Sequence, residues 1–453
     1  MIDVARNTRL RHSKKTCAWG FWAANLALII WFWLPLGVPE VVSGDLTTML
    51  HAVGRLFGLV ATYCALTQFV VMGRIGWLEP IFGLDRLAIF HRRNGIATLS
   101  LILLHSSLMV LTHYKLVGSA DMFGIIDVPY VWMAMVAEAL FVATVGLSIY
   151  IVRKHLKFET WYAVHLLNYA AIALVPWHQL TNGGDFLTNP LFANYWIALY
   201  LFTALNVLYW RFGMTIITFL RHDFTVERVV HQAPRATSVY IKAKNLDKFK
   251  AKGGQFVLVR FLSRPFVWQE HPFSLSRLPS GQTLRLTIRQ CGDFTNIVPQ
   301  LKPGTKVWVC GPFGAFTHDL QRTNKLLYIA GGIGITPIRS MIEDQARRGE
   351  SGNAVLLYGN RTVAETVFLD ELTQLGEQMA MPMYNIVSDQ KDYPGEKGII
   401  DAEKIKRLVP DVAGRDIFLC GPPAMMWGLI PQLKGLGVPS PQIHYERFSL
   451  HKD

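Results

Sequence analysis

Cysteine is scarce in this chain: the 453 residues include five, at positions 17, 64, 291, 310 and 420. None of them forms a CxxC pair, so the sequence suggests neither a disulfide framework nor an iron–sulfur cluster held by cysteines. Charged residues are also few, at 17%, whereas 51% of the residues are hydrophobic. The mean hydropathy of +0.26 is high for a soluble protein and predicts a membrane-embedded part.

Other signals are missing as well. The net charge is +13, but no recognised nucleic-acid-binding module accompanies it, so we expect no nucleic acid as a partner. The basic N-terminus precedes an apolar run that is too long for a signal peptide and has no small-residue cleavage site, so we interpret it as a first membrane span. We find no sequence repeat and no low-complexity stretch.

Six apolar stretches are long enough to cross a bilayer, which takes about 20 residues each. They lie near residues 17–36, 50–72, 92–112, 129–152, 161–178 and 191–212. The sequence therefore predicts an all-α bundle of six membrane spans surrounded by lipid.

The charges between the spans predict the orientation of this bundle. One set of loops carries twelve basic residues and the opposite set carries only Lys115; the twelve are Arg6, Arg9, Arg11, Lys14, Lys15, Arg74, Arg86, Arg92, Arg93, Arg153, Lys154 and Lys157. Because basic loops stay in the cytoplasm, we expect both termini, and the whole C-terminal half, to be cytoplasmic.

Four histidines lie in two of the apolar spans at matched spacings. His91 and His105 are 14 residues apart in the third span, and His165 and His178 are 13 apart in the fifth. Each pair covers roughly 20 Å of helix. Imidazole is a usual axial ligand of haem, and histidines inside membranes are rare and functional. The pattern predicts one haem between His91 and His165 and a second between His105 and His178.

The angular phase of the fifth span fits this arrangement less well. At about 100° per residue, 13 residues miss a common helix face by roughly 140°. Pro176 removes a backbone donor, so we expect the helix to be distorted or to end at Leu174–His178.

Near the outer end of the second span, Arg55 fits two roles equally: a partner of an outer haem propionate, or a snorkelling surface arginine.

After Phe224 the pattern changes to short alternating runs such as SVYIKAK, QFVLVRF and TLRLTIRQ. These predict an antiparallel β-barrel. From about Lys325, strands alternate with helices, as expected for an α/β domain with a parallel sheet. We therefore expect three domains: a membrane domain at 1–220, a β-barrel at 221–322 and an α/β domain at 323–453.

Two segments of the predicted barrel suit a flavin. The run HPFSLS at 271–276 can lie along an isoalloxazine ring, with Ser274 bonding N5. Arg289 ends the next strand, and residues 292–295 open a helix, which together make an anion site suited to a pyrophosphate. An ordinary strand–turn–helix with a cap at Asp293 is the alternative for the second segment.

Two further loops suit a nicotinamide nucleotide. GGIGITP at 331–337 follows a strand, and its glycines allow close approach of a pyrophosphate, while Thr336 can cap the next helix and Pro337 suits its first turn. It is not a GxGxxG fingerprint. CGPPAMM at 420–426 ends a later strand, and both loops belong at the carboxyl edge of the parallel sheet, where ligands bind. Arg361 is a weaker pointer to the 2′-phosphate of NADPH.

Taken together, HPFSLS, the Arg289–Thr295 segment, GGIGITP and CGPPAMM resemble the ferredoxin-reductase-type flavoproteins. The histidine spacings resemble the membrane domain of NADPH oxidases and ferric reductases, and the two resemblances cover roughly residues 17–450. They imply two b haems and FAD, with one-electron reduction of an external acceptor. By position they imply that His271 and Arg289 touch the FAD phosphates, that Phe273 and Ser274 touch the flavin, and that Phe448 covers it. They imply that Gly332, Gly334, Cys420 and Gly421 line the nicotinamide site. The cofactor-binding set that we predict further includes Pro272, Gly292, Thr295, Gly331, Thr336, Arg361, Pro422 and Arg55, and the predicted catalytic residues are Ser274, Cys420 and Phe448.

Two positions depart from that family. Met109 stands where animal oxidases have a further outer histidine, and five residues follow Phe448.

The expected function is transfer of electrons from cytoplasmic NADPH or NADH to O2, giving superoxide, in a bacterial inner membrane and without an obligatory protein partner. A ferric-chelate reductase and an electron-supplying subunit for a periplasmic redox enzyme are the alternatives. A haem-gated transporter is disfavoured by the reductase half.

Overall fold

The computed structural model describes residues 4–118, 124–149, 155, 158–264 and 267–446, with side chains from residue 9 onward. The chain divides into two compact units. One unit, the helical unit, comprises Lys15–Leu78 and Arg86–Phe212. The other, the reductase unit, comprises Met1–Lys14, Glu79–Asp85 and Gly213–Asp453.

The first half of the chain is helical. The bounds of its helices are α1 Val4–Val42, α2 Leu46–Met72, α3 Glu79–Phe82, α4 Leu84–Val117, α5 Val131–Ser148, α6 Phe158–His165, α7 Asn168–Asn182, α8 Gly184–Thr188, α9 Pro190–Asn206 and α10 Met214–His222, with a π-helix at Val207–Gly213. Among the described residues, five helical stretches are long and apolar enough to cross a membrane. They correspond to the predicted spans one to four and six. The expected fifth span, residues 161–178, is divided between α6 and α7, so the total of six spans stays a prediction.

The predicted distortion of the fifth span is in the wrong place. Residues 174–178 lie inside regular helix α7, with Pro176 within it. The helix is interrupted earlier, at Leu166 and Leu167. Here two amides bond three residues back instead of four: Leu167 N donates to Val164 O, and Tyr169 N to Leu166 O, each at 3.0 Å. A buried proline costs a membrane helix one hydrogen bond, which neighbouring groups compensate. The tightened turn changes the helical phase between His165 and His178 instead.

Two three-stranded antiparallel sheets begin the reductase unit. Their strands are β1 Thr225–Ala233, β2 Ala236–Lys242, β3 Phe256–Phe261, β4 His271–Ser274, β5 Thr283–Arg289 and β6 Val307–Phe313, in the orders β1-β2-β5 and β4-β3-β6. Isolated bridges join them at Thr225–Lys306 and Leu275–Leu286. Both sheets enclose one apolar core, which includes Phe224, Val257 and Leu286. The antiparallel prediction is confirmed.

A six-stranded parallel sheet completes the unit. Its strands are β7 Leu326–Gly331, β8 Ala354–Asn360, β9 Met383–Val387, β10 Glu396–Lys397, β11 Asp416–Cys420 and β12 Ile443–Glu446, in the order β10-β9-β8-β7-β11-β12. Its larger helices are α12 Ile335–Arg347, α13 Leu369–Gln378, α14 Ala402–Leu408 and α15 Pro423–Gly435, while the short α11 Asp293–Ile297 belongs to the antiparallel part. Because the chain runs outward from β7 and returns at β11, the strand order reverses between these two. Ligands bind at such a reversal in open α/β sheets.

Candidate functional site: paired histidines and two nucleotide-binding loops

The structure brings the first histidine pair together. The ring centres of His91 and His165 lie 5.9 Å apart. Trp161 stacks on His165 at 5.1 Å and donates its indole N–H to Ser148 Oγ at 3.0 Å. Gln68 Nε2 donates to the His91 carbonyl at 3.0 Å, which fixes α4 against α2. Helices α2, α4, α5 and α6 thus all position this pair.

The second pair is held by close packing of α4 against α2. His105 Nδ1 lies 2.8 Å from the Gly54 carbonyl oxygen. A Cβ at Gly58 would come within 2.8 Å of the same imidazole, so only glycine leaves room for it. His178 lies close enough to His105 to interact with it electrostatically. The pairing expected from the spacings is therefore consistent with where the four rings lie.

The donor set fits a haem better than a bare metal ion. In the described part of the chain, no group of three or more His, Cys, Asp or Glu side chains could hold a metal ion. A haem needs only two axial nitrogens from the protein. With metal–nitrogen bonds of about 2 Å, two imidazoles on one metal have ring centres about 6 Å apart, as the first pair does. Nδ1 of His91 and of His178 is buried without a protein partner among the described residues.

Arg55 is occupied by carboxylates. Its NH1 lies 2.9 Å from Glu40 Oε1, and its Nε lies 3.0 Å from the buried Asp185 Oδ2. The remaining NH2 is buried and has no partner in the described residues. The structure thus places Arg55 inside the helical unit, where one of its nitrogens is available to a further anionic group.

The predicted flavin segment lies on an edge strand. His271–Ser274 forms β4, which pairs with β3, and Pro272 is exposed while Ser274 is buried. The His271 ring packs against Phe294 with ring centres 4.0 Å apart. Phe273 stacks on the same Phe294 at 6.2 Å. The edge of β4 therefore presents backbone and aromatic groups together, as a planar ring system requires.

The predicted pyrophosphate segment forms a tight turn beside the first nicotinamide loop. Thr295 Oγ1 accepts the Cys291 amide at 2.7 Å and donates to the Gly292 carbonyl at 3.1 Å. Gly292 has φ of 103°, a conformation that glycine permits without strain. Arg289 NH1 lies 3.6 Å from the Cβ position of Gly332. A guanidinium of the antiparallel part thus reaches the loop that follows β7.

The two nicotinamide loops meet at the reversal of the sheet. A Cβ at Gly334 would collide with the Cys420 carbonyl oxygen at 2.2 Å, and one at Gly331 with Pro422 Cδ at 2.8 Å. Only glycines permit this approach. The sequence suggested that Thr336 caps α12, but the structure shows that it does not. Thr336 lies inside the first turn of the helix, where its Oγ1 donates to the Ile333 carbonyl at 3.0 Å.

Cys420 is fully buried at the end of β11. Its Sγ lies 3.8 Å from the Glu446 carbonyl oxygen, and burial raises the pKa of the thiol well above its usual range. It is therefore a neutral thiol beside Gly421. Phe448, the expected flavin cover, lies outside the described residues.

Arg361 follows β8 at the same edge of the sheet. It is exposed and pairs with Asp389, with Nε 2.8 Å from Oδ2. Asp389 follows β9, so both side chains stand at carboxyl ends of neighbouring strands. Arg361 is therefore an exposed cation, paired with one carboxylate, at this edge of the sheet, and its role toward a 2′-phosphate stays a prediction.

Sequence reasoning missed a buried ionic network in the reductase unit. Arg285, only 2% exposed, binds both oxygens of Glu371 at 2.6 and 3.0 Å. Glu371 also pairs with Arg339, and Arg339 with Glu343. Arg285 further bonds Ser276 at the end of HPFSLS. The network ties the flavin segment to helices α12 and α13. The sequence signal for it was an arginine between two leucines in the strand TLRLTIR.

Three family models match separate stretches of the chain. A ferric reductase-like transmembrane component matches residues 57–175, an FAD-binding domain residues 235–315, and an oxidoreductase NAD-binding domain residues 328–429. The first stretch contains His91, His105 and His165. The other two contain the predicted flavin and nicotinamide loops.

Individual relatives resemble part of the chain. It is 27% identical over 234 residues to ferredoxin–NADP reductase B of Sorangium cellulosum, covering 48% of this chain and 95% of that protein. It is 26% identical over 165 residues to the propane 2-monooxygenase reductase component of Rhodococcus jostii, covering 35% of this chain and only 45% of that protein.

Among solved structures, the FAD/NAD-binding domain of nitric oxide dioxygenase from Vibrio cholerae O1 biovar El Tor aligns with 22% identity and a TM-score of 0.44, covering 50% of this chain and 97% of that one. From the three family matches, the chain has the architecture of the NADPH oxidases and ferric reductases: a ferric reductase-like transmembrane domain followed by FAD- and NAD-binding domains of the ferredoxin-reductase type.

Proposed function

We propose that this protein carries electrons from NADPH or NADH across a membrane to an acceptor on the opposite side, and that O2 is that acceptor. When bound, FAD would convert a hydride into single electrons and two b haems would carry them onward. The observation that supports this best is the pairing of His91 with His165, because their ring centres lie 5.9 Å apart within a stretch that matches a ferric reductase-like transmembrane component.

The chain's own residues would bind and orient these groups. His91 with His165 would hold one haem, and His105 with His178 the other, through their imidazole nitrogens. The exposed edge of β4 would hold the flavin ring, with the Ser274 hydroxyl directed to its N5. Arg289 and the amides of the Gly292–Thr295 turn would hold the pyrophosphate.

The loops at the sheet reversal would place the nicotinamide. Gly331, Gly332 and Gly334 let the backbone approach the dinucleotide, and the helix that begins at Ile335 directs its amides toward it. Cys420, being neutral and fully buried, would support the loop at the nicotinamide site from behind rather than act as a nucleophile.

The acceptor is proposed from the charges of the helical unit. Glu40 and Asp185 offset the charge of Arg55, so this cluster offers no net positive charge to an anionic ferric chelate. A small neutral molecule such as O2 needs no such charge. A ferric-chelate reductase is the second candidate, favoured by the matched transmembrane component.

Orientation and location are part of the same proposal. The basic loops support cytoplasmic termini, with the nucleotide sites in the cytoplasm and the His105–His178 pair toward the outside. The location proposed is a bacterial inner membrane.

The test uses the detergent-purified holoprotein supplied with NADPH and FAD. We expect O2 consumption, and reduction of cytochrome c that superoxide dismutase suppresses. If the dismutase left cytochrome c reduction unchanged and a ferric chelate were reduced rapidly, ferric iron rather than O2 would be the acceptor. No reduction of any acceptor, with haem and flavin both bound, would refute the proposal.

A further inference from the structure

Within the reductase unit, a buried carboxylate fastens a short segment to the turn that follows β6. Glu79, 2% exposed, accepts the backbone N–H of Gly314 on Oε1 at 2.8 Å. Gly314 comes directly after β6, a neighbour of the strand that pairs with the flavin segment. A carboxylate this deeply buried is costly unless it is hydrogen-bonded, so the contact is a specific one.

The same segment packs on the turn a second time. Gly83 has φ of +84°, and its Cβ position lies 3.3 Å from Ala315 Cβ. Glu79 also accepts a backbone hydrogen bond from Leu84, the first residue of α4. One carboxyl group therefore joins the turn at Gly314 to the beginning of the helix that carries His91.

Two other carboxyl groups face Glu79. Asp85 belongs to the same segment, and Glu446 ends β12, where its Oε2 is buried without a partner among the described residues. Burial raises the pKa of Glu79 to about 7. Burial, with the charges of Asp85 and Glu79, raises the pKa of Glu446 to about 8.

We propose that Glu79 is a positioning residue that docks segment 79–85 on the Gly314 turn and so fixes the start of the His91 helix for electron delivery. The docking itself depends only on the contacts above; its effect on electron delivery rests on the proposed function.

The direction of the pH dependence follows from linkage. In the docked state the pKa of Glu79 is about 7, whereas in water it returns toward the ordinary value of 4.5. The docked state therefore binds the proton more tightly, so docking is strongest at acid pH and weakens as the pH rises from 4.5 through 7. Glu446 extends the window to about 8. Each proton changes the docking equilibrium by about tenfold per pH unit within that window.

Hydrogen exchange of the full-length protein in detergent tests the docking. Protection of peptides covering residues 79–85 and Gly314 is compared at pH 6 and pH 8, after correction for intrinsic exchange. In the wild type we expect protection to fall at least tenfold at pH 8. E79Q keeps an acceptor oxygen without the charge, so its protection falls less than that of the wild type, and Glu446 supplies the remaining response; E79L loses protection at both pH values; and E377Q, an exposed control on α13, matches the wild type.

Two results would overturn the proposal: an E79Q protein with the same pH response as the wild type, or an E79L protein as protected as the wild type. Anaerobic stopped-flow with NADPH then tests the positioning. We expect equal rates of flavin bleaching in all variants and at least tenfold slower haem reduction in E79L. Equal haem reduction in E79L would refute the positioning role, whereas a wild type that never reduces haem would refute the proposed function and leave the exchange result standing.

Discussion

The helical unit and the reductase unit bury polar groups in different ways. In the helical unit they are mostly neutral and meet in small clusters: Gln179 donates to Thr62 at 2.7 Å and accepts from Trp196 at 3.0 Å and Tyr200 at 3.1 Å. In the reductase unit they are ionic, as in the network around Arg285, Arg339 and Glu371.

The difference follows from the surroundings of each unit. Helices bounded by lipid cannot draw on water to stabilise a charge, so neutral hydrogen bonds prevail in their interior and the buried Arg55 is paired with Glu40 and Asp185. The junction of two water-soluble folds tolerates buried charges if every one is paired. We therefore expect that removing a buried polar side chain lowers cofactor binding in the helical unit and lowers the free energy of unfolding in the reductase unit.

The largest effect is expected for His178→Ala. Removing one axial imidazole leaves the second haem with one ligand, so the bound haem should fall from two per chain to one. Electron transfer to the acceptor should stop while NADPH still bleaches the flavin. Haem content and absorbance spectra measure this, with His113→Ala as the control. Two haems retained in the His178 variant would refute the ligand assignment.

Arg285→Met tests the ionic side of the comparison. It leaves Glu371 without its bidentate partner, which should lower the stability of the reductase unit by about 3 kcal/mol. Urea-induced release of bound FAD from the full chain reports the loss, and haem content should not change. The double variant R285M/E371M should recover most of the stability, because two apolar side chains replace a pair rather than orphan a charge. If the double variant were as unstable as the sum of both single variants, the pairing would contribute nothing.

Asn168→Leu and Pro176→Ala separate the observed helix interruption from the expected one. Asn168 donates to the His165 carbonyl and accepts from Thr144, both at 2.9 Å. Its loss removes both hydrogen bonds, at a cost of about 2 kcal/mol, and should lower occupancy of the His91–His165 site. Pro176→Ala should keep both haems. If only the proline variant lost haem, the helix distortion that matters for haem binding would be the one predicted at Leu174–His178.

The smallest effect is expected for Arg361→Ala, since a fully exposed ion pair contributes little to stability. Stability should not change measurably, but KM for NADPH should rise several-fold while KM for NADH stays constant. Arg407→Ala, which removes a comparable exposed pair with Glu396, is the matched control. Equal changes for both coenzymes would remove Arg361 from the 2′-phosphate site.

The sites of the two units also differ in how far the sequence predicts them. In the reductase unit, glycine-rich loops directly follow short apolar strands, and parallel strands deliver such loops to one edge. The approach of Gly334 to Cys420 therefore follows from the chain order, although the reversal between β7 and β11 became visible only in the sheet.

In the helical unit, spacing predicted which histidines share a level but not how the helix turns between them. The interruption at Leu166–Leu167 contains no proline or glycine and is stabilised by Asn168, a tertiary contact. Pro176 was the stronger local signal and was misleading. Glu79 and Arg285 were missed for the same reason, because their partners lie far away along the chain.

The most direct test of the central claim is the anaerobic addition of NADPH to the full-length protein loaded with haem and FAD. The account predicts flavin bleaching, followed by the absorbance bands of two reduced low-spin b haems per chain. Bleached flavin beside haems that stay oxidised, or a protein that binds no low-spin haem at all, would contradict it.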